Sequence, residues 1–321
     1  MQMKWVKLLS YAGFVYAILG YYNQYYLHWL DSIWLSGYSI EIAIVPFGLW
    51  RIAVEKVRYV RIRVAVLTFL VATIWLAFPL LTHSAFLDHH VIGSTWFFAY
   101  LGIIFLFGRR ADCGWNCTCV GIRDTAGDAF SKSTLRGERF WRLRHVKWIP
   151  LALILIYLFL WAFYPRASFT WQYESIFGQV FMVIFSASLL VVPVTGNRNY
   201  CRFLCPYGAL YGLVGRLGFC KIEADREKCI DCGACDRNCE MGIPVSSLVK
   251  EHGQVKVSDC VGCGRCVSMC PTKALEFRDV RSYLKRPASR RLENLPPHKE
   301  QGNRCRDMMA QAPLGEQARW T

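Results

Sequence analysis

Two short runs of cysteine carry the chemistry most plainly. Residues 229–239 read CIDCGACDRNC, and residues 260–271 read CVGCGRCVSMCP. Each is C-x2-C-x2-C-x3-C, a spacing that holds [4Fe–4S] cubanes in pairs. Three cysteines set two apart wrap a tight loop whose thiolates converge on one cluster. The fourth, displaced by three residues at a helix start, points to the other cluster. The expected ligands are Cys229, Cys232, Cys235 and Cys270 for one centre, and Cys260, Cys263, Cys266 and Cys239 for the second. Gly233 and Gly264 fall where the backbone must bend closely and a side chain would crowd the metal. Zinc knuckles are the alternative, but zinc sites commonly use two C-x2-C pairs or include His. Two clusters held this way move electrons one at a time, and no substrate pocket is evident among these residues.

A second cysteine phrase is written twice. Residues 108–121 read GRRADCGWNCTCVG and residues 196–208 read GNRNYCRFLCPYG; both fit Gly-x-Arg-x-x-Cys-x3-Cys. Each phrase follows an apolar run, so the pattern is an internal repeat in parallel orientation, implying an approximate two-fold relation about a membrane normal. That symmetry would bring Cys113, Cys117, Cys201 and Cys205 together as a third metal site, with Cys119 or Cys220 able to replace one ligand. A reactive dithiol and plain packing of small buried thiols are the competing readings. Arg110 and Arg198 hold matched positions, where they would offset thiolate charge or anchor the loops on lipid phosphate. Cys305 stands alone in a polar tail and reads as an unliganded thiol.

The elements that position these cysteines are apolar helices. Val64–Thr82, Val91–Gly108, Trp148–Tyr164 and Ile176–Thr195 carry no charged residue over 17 to 20 positions. At 1.5 Å per residue, about 20 apolar residues cross a hydrocarbon core of about 30 Å. Leu8–Leu30 and Ile33–Trp50, flanked by aromatics, read as two further spans. The start of the chain lacks a small-residue cleavage signature and reads as a retained first helix. The net charge of +15 is distributed by topology: Arg51–Arg63 holds five Lys or Arg and segment 109–147 holds nine. The connections 31–37, 83–90 and 165–175 hold one between them, Arg166. Basic loops stay cytoplasmic, which places both termini there and accounts for the charge without nucleic acid. Thiols on that face stay reduced, and reduced, regularly spaced cysteines bind metal.

The expected fold is an all-α transmembrane bundle of about six helices with a small α+β ferredoxin-like domain for two [4Fe–4S] clusters on the cytoplasmic side. Its expected parts are 1–63, two helices and a basic loop; 64–147, a hairpin with the first phrase and a basic connector; 148–219, a hairpin with the second phrase; 220–280, the ferredoxin domain; and 281–321, a polar tail. The end of the connector, with Arg and Trp interleaved, reads as an interfacial helix on anionic headgroups, with partner docking as its rival.

CRFLCPYGALYGLVGR (201–216), followed by the double four-cysteine motif after apolar spans, resembles the membrane-bound polyferredoxins of the NapH/NosR type. The likeness covers roughly residues 64–280. That group includes an iron–sulfur quinol dehydrogenase subunit of periplasmic nitrate reduction, part of a nitrous-oxide-reductase regulator and a copper-reductase-like oxidase assembly protein. The first phrase departs from the family pattern, with Thr118 where Pro is expected and an added Cys119. Two helices are expected before the usual four, and these residues read as carrying no extracytoplasmic flavin domain. The resemblance implies an inner-membrane electron-transfer subunit that relays electrons between the quinone pool and a cytochrome or iron–sulfur partner. An accessory copper reductase or redox-sensing regulator is the rival.

A quinol oxidiser needs a proton acceptor near a lipid-accessible pocket. His28, His83, His89 and His90 fall near predicted outer span ends, and Glu41 lies within the second span. Helix capping or hydration is the plainer reading of these residues; a quinone site and haem ligation are the others. The histidines and the ferredoxin motifs sit on opposite faces, about 30 Å of hydrocarbon apart. A bridging cofactor, a partner subunit or a quinone site nearer the clusters is therefore required.

Overall fold

The computed structural model describes residues 2–82, 99–108, 110–163 and 168–285. His83, His89, His90, Cys305 and the polar tail from residue 286 lie outside them.

Apolar composition builds mostly helix. Gln2–Tyr22, Ser39–Val54, Trp148–Phe163 and Ser168–Leu190 are long α-helices. Arg58–Leu70 continues through a wide turn, Val71–Ala77, into Phe78–Thr82. Two helices, Arg58–Leu81 and Glu138–Leu160, are long and apolar enough to cross a membrane, with mean hydropathies of 2.4 and 1.6. Only 22% and 11% of their apolar windows are buried, far less than core helices of a globular domain would show. Leu155, Ile156, Leu158 and Phe159 all face outward.

The first expected span ends early. Its helix gives way after Tyr22 to a wide turn, and His28 takes a left-handed backbone, φ +49°. The cause is Asn23. Its buried amide donates to the carbonyls of Leu30 and Leu35 (2.7 and 2.8 Å) and accepts from the amides of Trp29 and Leu30 (2.9 and 3.2 Å). One side chain thus satisfies four loop backbone groups that a helix would have satisfied internally.

Phe14, Ile44, Leu67, Ile122, Phe185 and Leu189 form one core. It ties the N-terminal helices to the segment after the first cysteine phrase and to Ser168–Leu190. A second core belongs to the C-terminal region, where β1 (Lys221–Ala224) lies between β2 (Gln254–Val255) and β3 (Leu275–Arg278), both antiparallel to it. Ile222 pairs with Val255 and Phe277. Alternation along β1 buries Ile222 and Ala224 beside Val249, Val255 and Leu275. This small sheet is the platform on which the four-cysteine loops are mounted.

Candidate iron–sulfur centres and a cysteine-lined cavity

In both four-cysteine runs the chain turns on left-handed residues and then starts a one-turn helix. Gly233 (φ +66°) precedes Ala234–Arg237, and Gly264 (φ +75°) precedes Arg265–Ser268. Asp231 (φ +54°) and Gly262 (φ +66°) occupy matching positions two residues earlier. A Cβ on Gly264 would lie 2.5 Å from the Tyr59 ring, so only glycine fits there.

Cys229, Cys232, Cys235 and Cys270 line a single small cavity, about 30 Å³. The amide of Ala274 donates to Cys270 Sγ (3.3 Å), and that of Ile243 to Cys239 Sγ (3.4 Å). Burial raises the thiol pKa of Cys239, and the neighbouring Cys263 and Cys260 raise it further. Among the described residues no three His, Cys, Asp or Glu side chains close on a point as ligands of one metal ion would. A cubane spaces its thiolates more widely, and the crossing of the fourth cysteine from each run to the other set fits that geometry.

The two sets are not equivalent. Cys239, Cys260 and Cys266 are buried and Cys263 is half-buried, whereas all four of Cys229, Cys232, Cys235 and Cys270 are half-buried. The buried set faces the repeated phrases. The Tyr59 hydroxyl donates to Gly262 O (3.2 Å), and a Cβ on Gly114 would touch Val261 O at 3.4 Å.

The repeat holds at the level of backbone hydrogen bonds. In the first copy the amides of Asn116 and Cys117 donate to Asp112 O; in the second, those of Leu204 and Cys205 donate to Tyr200 O. Cys117 and Cys205 each cap the helix that follows, Thr118–Asp124 and Pro206–Leu217. The fold brings the two copies together. Cys113, Cys117, Cys201 and Cys205 line one cavity of about 770 Å³, and Cys119 joins them while Cys220 does not. Leu70, Ile74, Leu151 and Phe181 supply apolar walls, and the outward-facing Leu155 and Leu158 lie on the rim. Burial and the neighbouring thiols Cys201 and Cys117 push Cys205 up to about 12. Burial, then Cys117, holds Cys113 well above the ordinary thiol range. Buried thiols that raise one another's pKa in this way are what a bound metal cation relieves by taking them as thiolates.

One cavity residue escaped notice in the sequence. Asp112 lines the hollow, accepts from Asn116 Nδ2 (3.4 Å), and is pushed up to about 6 by burial. Trp75 Nε1 donates to Asn116 Oδ1 (3.1 Å) and fixes that amide. A carboxylate beside a cysteine in a motif carries no signal of its own. His28 stands exposed, and neither it nor Glu41 lines either cavity.

A layer of buried charge joins the phrases to the ferredoxin region. Arg198 lies 2.5 Å from Asp124 and 3.4 Å from Glu240; Arg63 lies 2.6 Å from Asp124. Arg265 lies 2.6 Å from both Glu240 and Asp128. Arg110 reaches Asp259 at 3.7 Å and donates to Cys201 O at 3.4 Å. Glu240 follows Cys239 and Asp259 precedes Cys260, so the paired arginines of the repeat grip the carboxylates beside two cysteines of the buried set. Both arginines are fully buried, which rules out the expected anchoring on lipid phosphate. The connector docks too: Arg136 donates to the carbonyls of Asp236 (3.2 Å) and Arg237 (2.7 Å).

Comparison with known proteins agrees with this geometry. Residues 221–271 match the 4Fe-4S dicluster domain family, and residues 90–136 and 177–222 match a 4Fe-4S binding domain family. The chain is 33% identical over 187 residues to YccM of Escherichia coli (strain K12), described as an electron transport protein. That alignment covers 53% of this chain and 51% of YccM. It is 27% identical over 274 residues to the ferredoxin-type protein NapH of Haemophilus influenzae, covering 80% of this chain and 91% of NapH. It is 34% identical over 179 residues to the methylamine utilization ferredoxin-type protein MauN of Methylorubrum extorquens, covering 53% of this chain and 62% of MauN. No solved structure matches. These relatives are ferredoxin-type electron transport proteins, and with the 4Fe-4S family matches they support a NapH-type polyferredoxin and iron–sulfur electron transfer.

Proposed function

We propose that this chain is an integral inner-membrane protein of about six spans that relays electrons between the quinone pool and a cytochrome or iron–sulfur partner. Two [4Fe–4S] clusters on the ferredoxin cysteines and a third metal centre on the phrase cysteines supply one-electron chemistry. The carrying observation is the cavity of about 770 Å³, into which both phrases deliver their thiols beneath apolar walls. It lies at the same end of the helices as the ferredoxin region, so a quinol ring there meets no 30 Å gap. The chain's own residues support the reading. Asp112 accepts the hydroxyl proton, and Asn116 and Trp75 hold its carboxylate in place. Arg110 and Arg198 clamp the buried cysteine set against the cavity, and the half-buried set is left at the surface for a partner.

Anaerobic membranes holding the full chain test this. Added ubiquinol should bleach the broad visible absorbance, and Asp112→Asn should slow the bleaching about 100-fold with iron content unchanged. No bleaching, alone or with the native partner, or an unaffected Asp112→Asn variant, would contradict the proposal.

Cys119 favours a second reading. Its hydrogen bond with Cys117 lowers the pKa of Cys117, leaving a reactive thiol beside four others. That arrangement suits holding a delivered cupric ion while a reduced [4Fe–4S] cluster of the ferredoxin cysteines passes it one electron, giving cuprous ion and the oxidised cluster. Cys119→Ala would then abolish cupric reduction and leave the quinol response intact.

A further inference from the structure

A second cavity, about 390 Å³, lies where three pieces of chain meet. They are the turn Arg144–Lys147 leading into Trp148–Phe163, the end of helix Pro206–Leu217, and residues 252–259 of the ferredoxin region. Its walls present Arg144, Lys147, Arg216 and Lys256, with His145 and His252, against the single carboxylate Asp259. That carboxylate is already committed. It is buried, pairs with Lys147, and has Arg144 at 3.3 Å and Arg110 at 3.7 Å. Arg216 and Lys256 have no ion-pair partner among the described residues. The Arg144 guanidinium stacks 3.6 Å over the Trp141 ring, and its Nε is buried without a hydrogen-bond partner.

Four full cations converging on one hollow repel one another, and a cleft lined with one sign of charge concentrates the opposite ion. Phosphate oxygens match arginine forks and lysine ammonium groups. The setting narrows the source. Trp148 and the exposed Leu213 line the same cavity, and Ile149 faces outward beside it, at the head of an apolar helix. Cations and an indole at that level are the surroundings of an anionic headgroup.

We infer that this cavity binds the phosphate group of an anionic ligand, with a phospholipid headgroup as the source its position favours. The lipid source rests on the membrane reading above; the phosphate chemistry rests on the cavity alone.

The test uses the purified full chain with its clusters. Native mass spectrometry in equimolar phosphatidylglycerol and phosphatidylcholine should show one phosphatidylglycerol retained in preference. The double variant Arg216→Gln/Lys256→Gln avoids the residues that hold Asp259, and should weaken retention about 30-fold with iron content unchanged. Calorimetry with inorganic phosphate in lipid-free micelles separates the sources. Phosphate binding lost in the double variant, without lipid preference, supports the site and assigns its ligand to solution. Equal retention of both lipids together with no phosphate binding, or a double variant that binds like the parent, overturns the inference. So does a site that takes an acidic peptide but neither phosphate probe. Flotation on neutral vesicles checks the membrane reading separately: a chain that floats yet binds neither probe sinks only the headgroup site.

Discussion

Glu240 is the residue whose loss should be felt most. Its side chain is 3% exposed and sits between Arg265 at 2.6 Å and Arg198 at 3.4 Å, directly after Cys239. Burial alone would raise its pKa; Arg265, then Arg198, Arg63 and Arg51, overcome burial and hold it down to about 2 from an ordinary 4.5. At about 1.4 kcal/mol per pH unit that depression is worth about 3 kcal/mol. Removing one member of a buried pair costs about 3–5 kcal/mol, which agrees. Glu240→Gln keeps the shape and removes the charge. Guanidinium-induced iron release at pH 7 should move to lower denaturant by an amount equivalent to about 3 kcal/mol. The control is Glu138→Gln, whose partner Arg142 is 78% exposed at 3.0 Å and whose loss should cost under about 1 kcal/mol. The sign of the pH dependence follows from the depressed pKa. The contribution is fully present above 4.5 and fades as pH falls toward 2. The gap between parent and Glu240→Gln should therefore stay constant from about pH 7 to about pH 5. Equal release midpoints for the two variants, or a gap that closes by about pH 5, would refute this reasoning.

Two backbone substitutions probe the docking of the cysteine sets. A Cβ at residue 212 would lie 2.2 Å from Ser258 O and 2.9 Å from Arg110 Nη2. Gly212→Ala should push the helix Pro206–Leu217 off the buried set and cost about 1–3 kcal/mol or more, read as faster anaerobic loss of cluster absorbance. Gly264→Ala must carry a side chain at φ +75° against the Tyr59 ring. It should lower the midpoint of thermal cluster loss by the equivalent of about 1–2 kcal/mol, with part of the loss recovered on adding Tyr59→Ala.

The sequence disclosed what is local. That Gly233 and Gly264 stand at close bends was legible from the loop spacing, and both take positive φ; that a side chain on Gly264 would strike Tyr59 was not. The repeat was legible because two phrases 88 residues apart share their cysteine and arginine positions, and matched backbone bonds followed. What stayed hidden depends on distant chain. Arg110 and Arg198 looked available for phosphate because their carboxylates, Asp259 and Glu240, sit in another part of the sequence. Asp112 gave no signal until folding enclosed it beside Asn116. The end of the first helix was misplaced because the four hydrogen bonds of Asn23 reach up to 12 residues ahead, where hydropathy shows only another apolar stretch.

Anaerobic iron and acid-labile sulfide counting on the purified chain, repeated on Cys113→Ser/Cys201→Ser, tests the central assignment most directly. Two ferredoxin cubanes and a cubane on the phrase cysteines predict about 12 iron atoms, falling to about 8 in the double variant. About 8 in both would leave the phrase cysteines without a cluster. A colourless preparation holding zinc would contradict the iron–sulfur relay altogether.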